Sequence, residues 1–96
     1  MALLITPNGA ESVVTPANGA FTRQELYALI GNGCDLIQVV YLADRTTAMI
    51  LDEEGKYREP LAARNSKATV LLQEAGGIPG DFILGNVVLC SPEEFD

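Results

Sequence analysis

Between residues 52 and 72 the chain carries Asp52-Glu53-Glu54-Gly55-Lys56 and then Arg64-Asn65-Ser66-Lys67-Ala68-Thr69-Val70-Leu71-Leu72. The first run has the composition of a turn, with Gly55 free to take positive φ. Lys56-Tyr57-Arg58-Glu59 then reads as a short polar edge strand that stops at Pro60. The second run opens on Asn65 or Ser66, whose side chains accept hydrogen bonds from the free N–H groups of a helix's first turn. A helix to about Glu74 follows, with Ala68, Val70, Leu71 and Ala75 available to bury and Gly76-Gly77 to end it. Strand, turn and capped helix in so short a stretch commit the chain to a mixed architecture.

The remaining segments extend this reading. Residues 2–6 and 11–15 are β-prone runs around Pro7-Asn8-Gly9-Ala10, and Asn-Gly between such runs predicts a hairpin, here at a sheet edge. Thr22-Arg23-Gln24-Glu25 is a capping box, and Leu26, Leu29 and Ile30 give the helix it starts an apolar stripe that ends at Gly31-Asn32-Gly33. Residues 36–42 and 46–51, rich in β-branched and apolar side chains, read as the two central strands. Phe82-Ile83-Leu84 and Val87-Val88-Leu89-Cys90 read as one strand bulged at Gly85. Ser91-Pro92-Glu93-Glu94 has the form of a single helical turn. The expected fold is one α+β domain over residues 1–96, an antiparallel or mixed sheet of about five to six strands with two helices packed on one face.

Composition narrows the function. With no histidine and only Cys34 and Cys90, the sequence lacks an ordinary zinc ligand set and the commonest general base. It has no Gly-rich phosphate loop, and Gly31-Asn32-Gly33 precedes a strand where a dinucleotide fingerprint must open a helix. No metal or cofactor is expected and no catalytic residue is assigned. Both cysteines lie in apolar runs where buried free thiols are usual. The 6 basic against 13 acidic residues, net charge −7, oppose attraction to nucleic-acid phosphates. No apolar run has the ~20 residues needed to span a bilayer, and a signal-peptide pattern is missing, so a cytoplasmic location is expected.

Two clusters remain as site candidates. Asp52, Glu53 and Glu54 are best explained as a solvated turn rather than as paired catalytic or metal-binding carboxylates. Arg58, Arg64, Asn65, Lys67 and Thr69 gather near the predicted N-terminus of the second helix, where unpaired N–H groups and a partial positive charge favour an anion. Tyr57, and Tyr41 if it shares the same pocket, would add stacking surface. The competing reading has Asn65 as a cap only, with the cations offsetting nearby carboxylates.

The helix ending near Gly31, the strand around residues 37–40, the Asp-Glu-Glu-Gly-Lys turn, the helix start at Asn65, Ala68 and Thr69, and the closing Gly80-Asp81-Phe82-Ile83-Leu84-Gly85-Asn86-Val87-Val88-Leu89 together resemble a group of small phage- and plasmid-encoded domains of unknown function. The resemblance implies a small accessory gene of a mobile element acting in the host cytoplasm, and carries no biochemical activity with it. In that setting we expect a binding protein that counters host defence by sequestering a small anionic signalling nucleotide. The alternatives are an acidic inhibitor that occupies a basic surface of a host defence or DNA-processing protein, and a regulatory or structural accessory without a ligand. Exposed strand edges lead us to expect a homo-oligomer.

Overall fold

A computed structural model describes residues 2–95. The elements run β1 (Ala2–Ile5), β2 (Glu11–Val14), α1 (Arg23–Ile30), β3 (Ile37–Tyr41), β4 (Ala48–Asp52), α2 (Gly55–Arg58), a 3-10 turn (Leu61–Ala63), α3 (Ser66–Glu74), β5 (Val87–Cys90) and a second 3-10 turn (Pro92–Glu94). The strands form one sheet in the order β2-β1-β5-β4-β3, antiparallel at every pairing. The architecture is α+β, as expected.

The first hairpin forms where Asn8-Gly9 predicts it. Gly9 takes φ +87, and Asn8 Oδ1 accepts from the Ala10 N–H at 3.1 Å. The capping box of α1 is complete: Thr22 Oγ1 accepts from the Glu25 N–H at 3.1 Å, and Glu25 Oε1 accepts from the Thr22 N–H at 2.9 Å. Ser91 and Glu94 repeat that motif in the final turn.

Side chains alternate across the sheet, so the core has two halves. Ala2, Ile50 and Val88 meet Phe21, Leu26 and Ile30 on the α1 side. Ile5, Met49, Leu51 and Val87 meet Ala68 and Ile83 on the other, where Leu71, Leu72 and Ala75 of α3 complete the packing. The two expected helices therefore cover opposite faces of the sheet rather than the same one.

Four local expectations are corrected. Residues 56–58 are helical, with Glu59 as the extended C-cap, because Asp52 Oδ1 accepts from the Glu54 N–H at 2.8 Å and turns the chain, while Glu59 N–H bonds back to Gly55 O at 2.9 Å. β3 is an edge strand and not central; its apolar composition reflects a sheet covered on both faces, and the central place belongs to β5. Residues 82–84 do not continue into β5 as one bulged strand. Leu84 makes a single bridge to Arg64, and Gly85 then turns the chain at φ +88, where a Cβ would press on Glu59 Cγ at 3.2 Å. Val70, expected inside, is 56% exposed, and Thr69 takes the buried place.

Candidate functional site

Of the six candidate ligand residues, four are held in internal bonds. Asn65 is fully buried, and its Oδ1 caps α3 by accepting from the Ala68 N–H at 3.1 Å. Its Nδ2 donates to Ile5 O at 3.1 Å and to Gly85 O at 2.9 Å. Thr69 Oγ1 donates to Asn65 O at 2.8 Å and accepts from the Ile83 N–H at 3.0 Å. The bond to Thr69 Oγ1, with that from the Asn65 N–H to Ile83 O at 2.8 Å, occupies both backbone groups of Ile83 and holds that residue against the start of α3. Lys67 Nζ donates to Gly9 O at 2.8 Å and Glu11 Oε2 at 2.7 Å, tying α3 to the first hairpin.

Arg58 lies among carboxylates. Nη2 bonds Asp35 Oδ1 at 2.6 Å and Glu54 Oε1 at 2.9 Å. Nε is 2.9 Å from Asp52 Oδ2 but makes no directed hydrogen bond, so that contact is a charge pairing whose geometry is poor for N–H donation. Partial burial pulls the Arg58 pKa down, yet Asp52, Asp35 and Glu54 together hold it above its ordinary value. The Asp52-Glu53-Glu54 turn is thus only in part the expected solvated one. Glu53 and Glu54 are exposed, whereas Asp52 is 7% exposed and faces the guanidinium.

Tyr57 and Arg64 remain, on the α3 side of the sheet. There α2, the β3–β4 hairpin and residues 81–84 enclose a cleft of about 260 Å³ lined by Gln38, Val40, Leu51, Asp52, Tyr57 and Phe82, among others. Tyr57 is 90% exposed at its rim. Tyr41 is not with it: alternation along β3 puts that ring on the opposite face from Gln38 and Val40. Phe82 carries two cations over its ring, Lys56 Nζ at 4.7 Å and the Arg64 guanidinium carbon at 5.3 Å from its centroid. Lys56 also pairs with Asp81, and that bond, reinforced by the Phe82 N–H, holds the Asp81 carboxyl below its usual range.

The local pattern puts Phe82 in a strand. Its role at the cleft depends on the chain leaving the sheet after Asn65 has taken its backbone bonds, which no local pattern announces. Both cysteines are buried free thiols; burial raises Cys34 and pushes Cys90 to about 11, so neither is a ready nucleophile. Among the described residues no group of three or more acidic or cysteine side chains is placed to hold a metal ion, and no helix is long and apolar enough to cross a membrane.

Fold and cleft define a small α+β domain with an all-antiparallel five-stranded sheet and an aromatic cleft at one edge. The chain belongs to the family described as a domain of unknown function (DUF3846), whose model matches residues 1–96. No curated protein matches the chain, and neither does any solved structure.

Proposed function

We propose that this protein is a non-catalytic accessory of a mobile element that counters host defence by binding a basic surface of a host defence or DNA-processing protein. One observation carries this reading. Arg58, Lys67 and Lys56 are each paired with carboxylates of the same chain, so they leave little positive charge to face a ligand while the net charge stays at −7. Asp35, Asp52 and Glu54 share the single Arg58 guanidinium, and Glu53 beside them is exposed. A basic partner meets an unbalanced field there, and desolvating rim charges of opposite sign guides docking more than it adds affinity.

The test uses a basic DNA-binding protein as probe. The complex is expected to weaken steeply with added salt and to be displaced by duplex DNA. A complex insensitive to both would exclude charge mimicry. Self-association is read in the same buffer by sedimentation.

A second reading, sequestration of a small anionic signalling nucleotide in the host cytoplasm, has its own support in Phe82 beneath Lys56 and Arg64 with Tyr57 at the rim. That corner offers the exposed Tyr57 ring and the Arg64 guanidinium to a base and its phosphate. A saturable rise in Tm with one nucleotide from a cyclic and linear panel, lost in Arg64→Glu with Phe82→Ala, is the expected result. An unchanged Tm across the panel removes this reading.

A further inference from the structure

We propose that the outer edge of β3 takes an extended, basic segment of the partner protein as a sixth strand. This rests on the reading of the protein as an acidic binding module and gives that module a docking mode.

The hydrogen-bond pattern shows which groups are free. Glu53 N–H bonds Leu36 O at 3.0 Å and Leu42 N–H bonds Thr47 O at 2.9 Å. In an antiparallel ladder the direction of the backbone groups alternates, so even-numbered residues between these two bonds turn towards β4. The N–H and C=O groups of Ile37, Val39 and Tyr41 point outward. No hydrogen bond from another element reaches them among the described residues.

Edge strands are ordinarily protected by charge, proline, a bulge or brevity. Ile37-Gln38-Val39-Val40-Tyr41 contains no charged residue and no proline, and all five residues pair in continuous register with β4. The opposite edge is better guarded. β2 has four residues, and its Glu11 is bonded to Lys67 across the α3 side. The side chains of Gln38 and Val40 also form one wall of the Phe82 cleft, so a strand laid against β3 sets its own alternate side chains beside that cleft. Backbone pairing combined with a pocket for every second side chain is the general plan of strand addition.

Charge selects the occupant. Asp35 precedes the strand with its side chain 75% exposed, Asp44 and the exposed Arg45 follow it, and Glu53 lies on the adjoining turn. If a second copy paired antiparallel about Val39, Asp35 of one copy would sit within one residue of register of Asp44 of the other, at both ends of the new ladder. Like charges so placed oppose pairing. A segment alternating lysine with aliphatic residues meets an excess of carboxylates instead: Asp35, Asp44 and Glu53 surround the strand ends against the exposed Arg45 and the Arg58 already bonded to Asp35.

The experiment titrates the whole protein with a blocked seven-residue peptide alternating lysine and valine, and follows amide hydrogen exchange. Binding should slow exchange at Ile37, Val39 and Tyr41 and leave β2 unchanged. Val39→Pro deletes one outward N–H at an edge position that tolerates proline, and should weaken the peptide at least tenfold while circular dichroism stays native. Asp35→Asn with Asp44→Asn removes both charges and keeps an oxygen to accept the Thr46 and Thr47 N–H bonds of the turn, and should weaken it severalfold. The peptide N-methylated at alternate residues should not bind. Undiminished binding to Val39→Pro or by the methylated peptide, with protection elsewhere, overturns strand addition and leaves the acidic module standing. A dimer of the protein alone that Val39→Pro dissociates overturns it in favour of self-pairing. Failure of both the peptide and the basic probe protein to bind removes the two readings together.

Discussion

Asn65 and Arg58 hold together segments far apart in sequence, by opposite means. Asn65 joins the start of α3 to the end of β1 and to Gly85 through neutral hydrogen bonds in a fully buried site. Arg58 joins α2 to Asp35 and Asp52 through charges, with about a quarter of its side chain, 24%, exposed. A buried neutral amide has no charge for salt to screen, and its loss leaves carbonyls without partners. A partly exposed guanidinium competes with water and counterions at all times. The first junction therefore fixes the fold, and the second tunes one region of it.

Replacing Asn65 separates the two most strongly. Asn65→Ala removes a helix cap, typically about 1 kcal/mol, and orphans the carbonyls of Ile5 and Gly85, so a loss of about 3–5 kcal/mol is expected. That is a large share of the ~5–15 kcal/mol usual for a domain. Urea unfolding should show it as a fall in midpoint at unchanged slope; a loss below about 1 kcal/mol would mean water replaces the amide. Arg58→Met leaves Asp52 buried with only the Glu54 N–H as partner. A smaller loss than for Asn65→Ala is expected, and the gap from the parent protein should narrow as salt rises. A gap independent of salt would place Arg58 in the same class as Asn65. Lys67→Ala, a half-exposed pairing, should cost no more than about 0.5 kcal/mol in the same assay.

The smallest effect is with acid. The Thr22 and Ala17 N–H groups hold Glu25 below its ordinary 4.5, and Lys56 and the Phe82 N–H do the same for Asp81. Depressed carboxyls stabilise the fold above their unfolded pKa and lose that contribution as pH falls through the folded value. A pH series of melting curves should therefore be flat around neutrality and decline only below about pH 4.5. Asn65→Ala should shift the whole curve down without changing its shape, since the amide does not titrate.

Local chemistry was legible and long-range chemistry was not. Thr22 with Glu25, Asn8-Gly9 and Asn65 each signal a cap or turn through bonds to neighbours in sequence, and all three form. The helix over residues 55–58 was unreadable because Asp52, which turns the chain into it, is paired with Arg58 six residues on, and Gly55 lies against Leu84 O, contacts that no local propensity contains. The same holds at the candidate site. The sequence groups Arg58, Arg64 and Lys67 as cations near one helix terminus, but the fold sends Arg58 to Asp35, Lys67 to Glu11 and Arg64 to Phe82. Proximity along the chain did not specify direction in space. The apolar run of β3 was likewise open to two readings, since burial on two faces and a central position produce the same composition.

The central position of β5 has a consequence for how the chain is made. The β1–β2 and β3–β4 hairpins share no ladder; each reaches the other only through residues 87–90. During synthesis both hairpins can form early, each exposing an inner edge that waits for its partner. The sheet closes only when the last strand threads between them. Until then the nascent chain presents four open edges where the finished protein has two, which makes the interval before residue 90 emerges the one in which a chaperone, or another nascent copy, finds most to bind.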